Sequence, residues 1–145
     1  MCLSDIVAQE ESNSLLKHLN LEVNNVAISG YDLISYFDNN PQKGKQSINA
    51  KFNNRIYYFI NENNRNKFIK SPSKYLPKYG GWCAYAMGNT SEKVEIDPKT
   101  YKIVGDKLYL FYNKYFTNTL NSWNEDQEIL KQKADINWSK IIKNK

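Results

Sequence analysis

Hydrophobic positions along this chain change period several times, and each change marks an element. Leu15, Leu16 and Leu19 fall at helical spacing within 4–20, but Gln9, Glu10, Glu11, Ser12 and Asn13 come before them. The apolar stripe is therefore short and predicts a helix that docks weakly or frays. Val26-Ala27-Ile28 followed by Ser29-Gly30 predicts a brief strand ending in a turn. Leu33, Tyr36 and Phe37 then stand at i, i+3 and i+4, one or two turns of helix. Asp32 lies at its start, where a carboxylate accepts free backbone N–H groups and meets the positive end of the helix dipole. Ile48, Ala50 and Phe52 alternate with polar residues, Asn53-Asn54 interrupts, and Ile56-Tyr57-Tyr58-Phe59-Ile60 follows. That pattern is a β-hairpin with a tight turn. Asn61 caps a helix carrying Arg65, Phe68 and Ile69, which Ser71-Pro72 stops.

A Pro-bounded turn, Pro72 to Pro77, leads to Tyr79-Gly80-Gly81-Trp82-Cys83-Ala84-Tyr85-Ala86-Met87. The glycine pair predicts a turn into a helix, with Cys83 in the first helical turn, where unpaired N–H groups favour a thiolate. The same residue also reads as a small buried hydrophobe on a stripe with Tyr79, Ala86 and Met87. Asp97-Pro98 marks a turn. Tyr101-Lys102-Ile103-Val104 and Leu108-Tyr109-Leu110-Phe111-Tyr112 flank Gly105-Asp106-Lys107, a second hairpin. Trp123, Leu130, Ala134, Trp138 and Ile141 recur at spacings of 7, 4, 4 and 3, which predicts a C-terminal helix over one sheet face. The fold class expected is α+β: a small antiparallel sheet built from two β-hairpins, packed against several helices. The domain runs over 26–145 behind a leader or weakly docked helix, 1–25.

Composition narrows the chemistry. A length of 145 residues suits one compact unit, and 14% aromatic content fills a core without disulfides. Lys and Arg exceed Asp and Glu by 20 to 15, a net charge of +5. Asn, Lys, Ile and Tyr supply 62 residues, the bias of an AT-rich genome, so the basic charge speaks for solubility and not for nucleic acid. Basic and aromatic residues interleave along 51–59, but alternation on a half-buried strand produces the same pattern. The longest hydrophobic run, Trp82 to Met87, is six residues, so no transmembrane segment is expected. Residues 1–15 lack a basic start and an apolar run, so the chain as given reads as cytoplasmic, without a signal peptide. Cys2 behind the first Met also fits a processed, exported lipoprotein. Cys2, Cys83 and His18 are the whole supply of Cys and His, too few for a closed zinc site. Either histidine-based triad would have to use His18, so no catalytic residue is expected.

Several blocks occur in one order. They are Ala27-Ile28-Ser29-Gly30-Tyr31-Asp32 with Tyr36-Phe37; Tyr58-Phe59 with Glu62-Asn63-Asn64-Arg65 and Phe68; Tyr79 to Ala86; Asp97-Pro98; Gly105 to Leu110 with Tyr112-Asn113; and Lys133 to Trp138. Across roughly residues 26 to 138 they resemble the small bacterial YHS-domain proteins. The resemblance implies association with a transition metal, copper among them. This chain departs from the metal-binding pattern: the histidine of the family's name has no counterpart between 26 and 138, and one Cys stands where those relatives use several. The expectation is thus a non-enzymatic protein binding copper or another transition metal through Cys83, with Met87 one helical turn away as a second soft ligand. Two copies meeting at Cys83 would supply two thiolates to Cu(I), making a homodimer. The alternative is a small-molecule or protein-binding module without metal, its pocket lined by Tyr31, Asp32, Tyr36, Gly80, Gly81, Trp82 and Tyr85. A third reading makes Cys83 a nucleophile with Asp32, Tyr31 or a lysine as base.

Overall fold

Turn chemistry sets the two main hairpins. In a computed structural model describing Leu3 and residues 13–144, Asn53 and Asn54 take positive φ, 47° and 63°. Asn tolerates this left-handed conformation, and two such residues match the twist of the strands they join. They connect β1 (Lys45–Phe52) to β2 (Arg55–Phe59), with Phe52 opposite Arg55 and Ala50 opposite Tyr57. Gly105 and Asp106 do the same between β3 (Asp97–Val104) and β4 (Lys107–Phe111). A third, short ladder pairs β5 (Asn113–Lys114) with β6 (Thr117–Asn118) around Tyr115-Phe116.

The architecture is the α+β arrangement expected, with both predicted hairpins and a C-terminal helix. The hairpins do not merge into one sheet: each is its own two-stranded antiparallel ladder. Their edges are already used. Val26 bridges Ile56 on the outer side of β2, while Pro77 and Cys83 bridge Leu108 and Leu110 beside β4. Register shifts break β1 between Lys45 and Asn49, and β3 between Asp97 and Tyr101, which blunts the remaining edges. Asp97-Pro98 is the start of β3 and not a free-standing turn. Its turn chemistry persists inside the irregularity, where the Asp97 carboxylate accepts the Lys99 N–H at 3.1 Å and the Thr100 hydroxyl at 2.8 Å. Val26 and Ala27 make single bridges instead of a strand, and Ile28–Gly30 forms a 3-10 turn.

Helices begin where the caps predict. Asp32 caps α1 (Leu33–Phe37), and Asn61 caps α2 (Glu62–Lys70), accepting the Asn64 N–H at 2.8 Å. Pro72 opens the short α3 (Pro72–Tyr75) just after α2 stops. The segment after the glycines is α4 (Ala84–Thr90); the C-terminal region divides at Asp126 into α5 (Thr119–Glu125) and α6 (Gln127–Lys143). Among the described residues no helix is long and apolar enough to cross a membrane.

β4 divides the interior. Its side chains alternate between two cores: Leu108 and Leu110 pack with Leu33, Tyr36, Phe59 and Phe68, while Tyr109 and Phe111 pack with Met87, Trp123, Leu130 and Ala134. Strand geometry sends successive residues to opposite faces, so a strand buried on both sides has no polar alternation. α6 lies against α4 as well as the β4 face. A Cβ on Gly88 would stand 2.6 Å from the Leu130 carbonyl oxygen, so only glycine permits the helices to approach this closely. The leader is tied down from His18 onward: the Trp82 indole donates to the His18 carbonyl at 2.7 Å, and the Asn20 N–H to Gly80 at 2.9 Å. Residues 13–16 are helical and Leu15, Leu16 and Leu19 half-buried; the rest of the expected leader helix, 4–12, and Cys2 lie outside the described residues.

Candidate functional site

Asp32 is fully buried, and its carboxylate is saturated with donors. Oδ1 accepts the N–H groups of Ile34 at 2.8 Å and Ser35 at 3.3 Å; Oδ2 accepts the Ile60 N–H at 2.8 Å and the Asn64 amide at 2.9 Å. Four N–H dipoles thus compensate a buried charge, and the same bonds fasten α1 to the end of β2 and to α2. Tyr36, also fully buried, donates its hydroxyl to the Pro98 carbonyl. Burial, followed by the nearby Tyr31 and Asp97, holds its phenol well above the usual tyrosine range. Tyr31 is half-buried and packs on the first core.

The remaining expected residues lie elsewhere. Trp82 and Tyr85 are half-buried, Tyr85 packing against the second core. Tyr31, Asp32, Tyr36, Trp82 and Tyr85 therefore do not gather round one cavity. Cys83 occupies the N-cap position of α4, one place before the expected first turn, and does not cap it through its side chain. Both Cys83 and Met87 are at 0% exposure. The Thr119 hydroxyl donates to the Tyr112 carbonyl at 2.7 Å, so its oxygen is free to accept the Cys83 S–H at 3.4 Å. The Tyr112 N–H in turn donates to the Cys83 sulfur at 3.3 Å. The three residues form a closed ring of hydrogen bonds between the start of α4 and the chain entering α5. Two copies of Cys83 cannot meet unless these elements separate. Among the described residues, no three of His, Cys, Asp and Glu form a group that could hold a metal ion.

Gly80 and Gly81, two of the expected pocket residues, line a cavity of about 260 Å³ whose other walls sequence reasoning missed. It lies between the leader, β2, the segment Leu76–Gly81 and α6. Leu15, Leu19, Leu21, Ala27, Ile28, Leu76, Pro77, Trp138 and Ile142 make its walls largely apolar. Gly80 sits at φ 62°, and a Cβ there would come within 2.8 Å of the Trp138 ring and 3.0 Å of Leu19. Backbone alone can occupy that gap.

Asn20, Lys78 and Arg55 are polar side chains among these walls, and Arg55 is the charged one without a counter-charge among the described residues. It shares the inward face of β2 with Tyr57 and Phe59 and is only 8% exposed. Its Nη1 reaches the Tyr57 hydroxyl at 3.5 Å, a marginal bond, and its guanidinium stands 5.4 Å from the Phe52 ring centroid. Among the described residues Nε has no hydrogen-bond partner, and no carboxylate forms a salt bridge with this arginine. Burial raises the Tyr57 phenol, an effect the adjacent Arg55 opposes. Lys78, the other cation in the lining, is paired with Asp135 at 3.6 Å. The register was the available signal: an arginine stands where β2 alternation calls for a hydrophobic residue. A larger space of about 790 Å³, open to a similar degree, lies beside Glu22, Lys43 and Glu95, with walls of mixed polar and apolar character that carry both charges.

Comparison of the chain with protein-family models, curated proteins and solved structures finds no match.

Proposed function

We propose that this chain is a non-enzymatic binding module of the YHS type, which holds a small, largely apolar molecule between the leader, β2, the glycine turn and α6. The observation that carries the reading is the cavity of about 260 Å³, walled by apolar side chains with a few polar groups among them. An apolar cavity of about 150 Å³ accommodates benzene, so this one has room for roughly ten non-hydrogen atoms. The block Tyr79-Gly80-Gly81, one of those resembling YHS-domain proteins, forms part of the wall, which supports linking that motif to the site. Binding of copper or another transition metal through Cys83 and Met87, or through a homodimer joined at Cys83, draws no comparable support, because both side chains are buried and the thiol is engaged.

The test is amide chemical-shift mapping with indole, a neutral ring compound of suitable size. Expected are saturable shifts at Gly80, Gly81 and Ile142 that disappear in Ala27→Leu, which fills the cavity while a thermal melt verifies folding. Absence of saturable shifts at these amides, with indole and with 1-octanol alike, would overturn the reading.

A further inference from the structure

We infer that the cavity selects an amphiphilic carboxylate, with the anionic head against Arg55 and an apolar body of about eight carbons along Leu19 and Trp138. This rests on the cavity being a ligand site, as proposed above. Arg55 is 8% exposed and its Nε has no partner among the described residues. A guanidinium cannot shed its proton to escape burial, and a buried charge without a counter-ion is costly. The lining holds two cations, Arg55 and Lys78, and no Asp or Glu. Lys78 already has Asp135, which leaves Arg55 as the uncompensated charge.

Geometry selects the class of anion. The guanidinium is a planar fork of N–H donors that matches the two oxygens of a carboxylate, and because its Nε is closed off in the empty fold, the head meets the terminal nitrogens. A neutral guest would leave the charge of Arg55 uncompensated, and a cationic one would be repelled. The volume available for roughly ten non-hydrogen atoms fits an eight-carbon monocarboxylate, which has that number.

The experiment titrates the full chain calorimetrically with octanoate, 1-octanol and octylammonium, each below its micellar concentration. The chain is compared with Arg55→Met and with Glu10→Gln/Glu11→Gln. Expected are octanoate binding at least ten-fold tighter than octanol, no binding of octylammonium, and loss of the octanoate preference in Arg55→Met with octanol affinity retained. Equal affinity for octanoate and octanol would overturn the carboxylate assignment while leaving the cavity reading intact; failure of all probes, indole included, would overturn both. A preference for octanoate that emerges only in Glu10→Gln/Glu11→Gln would make a leader carboxylate the natural partner of Arg55 and likewise overturn the inference. Should Arg55→Met not fold, the octanoate-to-octanol ratio of the unmodified chain decides alone.

Discussion

Replacing Arg55 with methionine should stabilise the ligand-free protein. Methionine keeps most of the length and apolar volume of the arginine stem, which is already buried, so the transfer terms nearly cancel. Removing Nε, buried without a partner, recovers about 1–3 kcal/mol of desolvation cost. Against that stands the cation–π contact with Phe52, worth about 0.5–1 kcal/mol, and the 3.5 Å bond to Tyr57, worth less than an ordinary hydrogen bond. The balance is a gain of up to about 2 kcal/mol, a rise in melting temperature of up to about 6 °C for a chain this size. Urea denaturation of the ligand-free proteins, with equal m-values as a check on two-state unfolding, measures it directly. A variant less stable than the parent by more than about 1 kcal/mol would refute the reasoning, because it would mean that the guanidinium is paired in solution. The expected pattern, a residue that weakens the empty fold yet is required for anion binding, is the usual trade of stability for function.

Three further outcomes follow from the geometry. Tyr115 and Phe116 occupy the turn between β5 and β6 with φ of 51° and 64°, and are 86% and 111% exposed. Left-handed conformations cost such residues about 1–2 kcal/mol each, offset in part by the unfolded-state freedom of glycine, so Tyr115→Asn/Phe116→Gly should stabilise by about 1–3 kcal/mol in urea; no gain would mean that the rings make stabilising contacts. Burial raises the phenols of Tyr36, Tyr57, Tyr79 and Tyr109 above the ordinary value near 10, assisted at Tyr79 by Asp135. Unfolded tyrosines release protons above pH 10 while these retain theirs, so stability is complete below that pH and should fall as pH rises past it. Each such group contributes a slope of about 1.4 kcal/mol per pH unit. Phenolate absorbance should then rise in a step with unfolding, and smooth titration of every tyrosine in the folded state would contradict the burial. Iodoacetamide should modify Cys83, followed by peptide mass mapping to separate it from Cys2, only at the rate of unfolding, accelerating with urea; labelling of Cys83 in the native protein at the rate of a free thiol would show that its sulfur is reachable and return the metal reading to first place.

Local signals carried the elements well because their causes are local. Asn53-Asn54 and Gly105-Asp106 close hairpins through their own tolerance of positive φ, and Asp32 and Asn61 cap helices within three residues of themselves. The spacing of Trp123, Leu130 and Ala134 identified the buried face of the C-terminal region, although the break at Asp126 was not apparent. The site was harder to read. Tyr31, Asp32, Tyr36, Trp82 and Tyr85 have the composition of a pocket, but an aromatic ring or a carboxylate fills a core as readily as it lines a cavity. Its place at the helix start identified Asp32 as a cap, but only the donors from Ile60 and Asn64 show that it is enclosed in the core and not exposed to a pocket.

By itself the amino-acid order determined the α+β class, both main hairpins and the helix starts at Asp32 and Asn61, since periodicity and turn preference act over a few residues; it did not single out Arg55. Whether that arginine finds a counter-charge, and whether the Cys83 sulfur meets solvent or the Tyr112–Thr119 ring, depended on segments far apart in the chain. The cavity is bounded by Leu15 at one end of the described chain and Ile142 at the other. No local pattern encodes a space left between them; it exists only once the leader, β2, the glycine turn and α6 have packed.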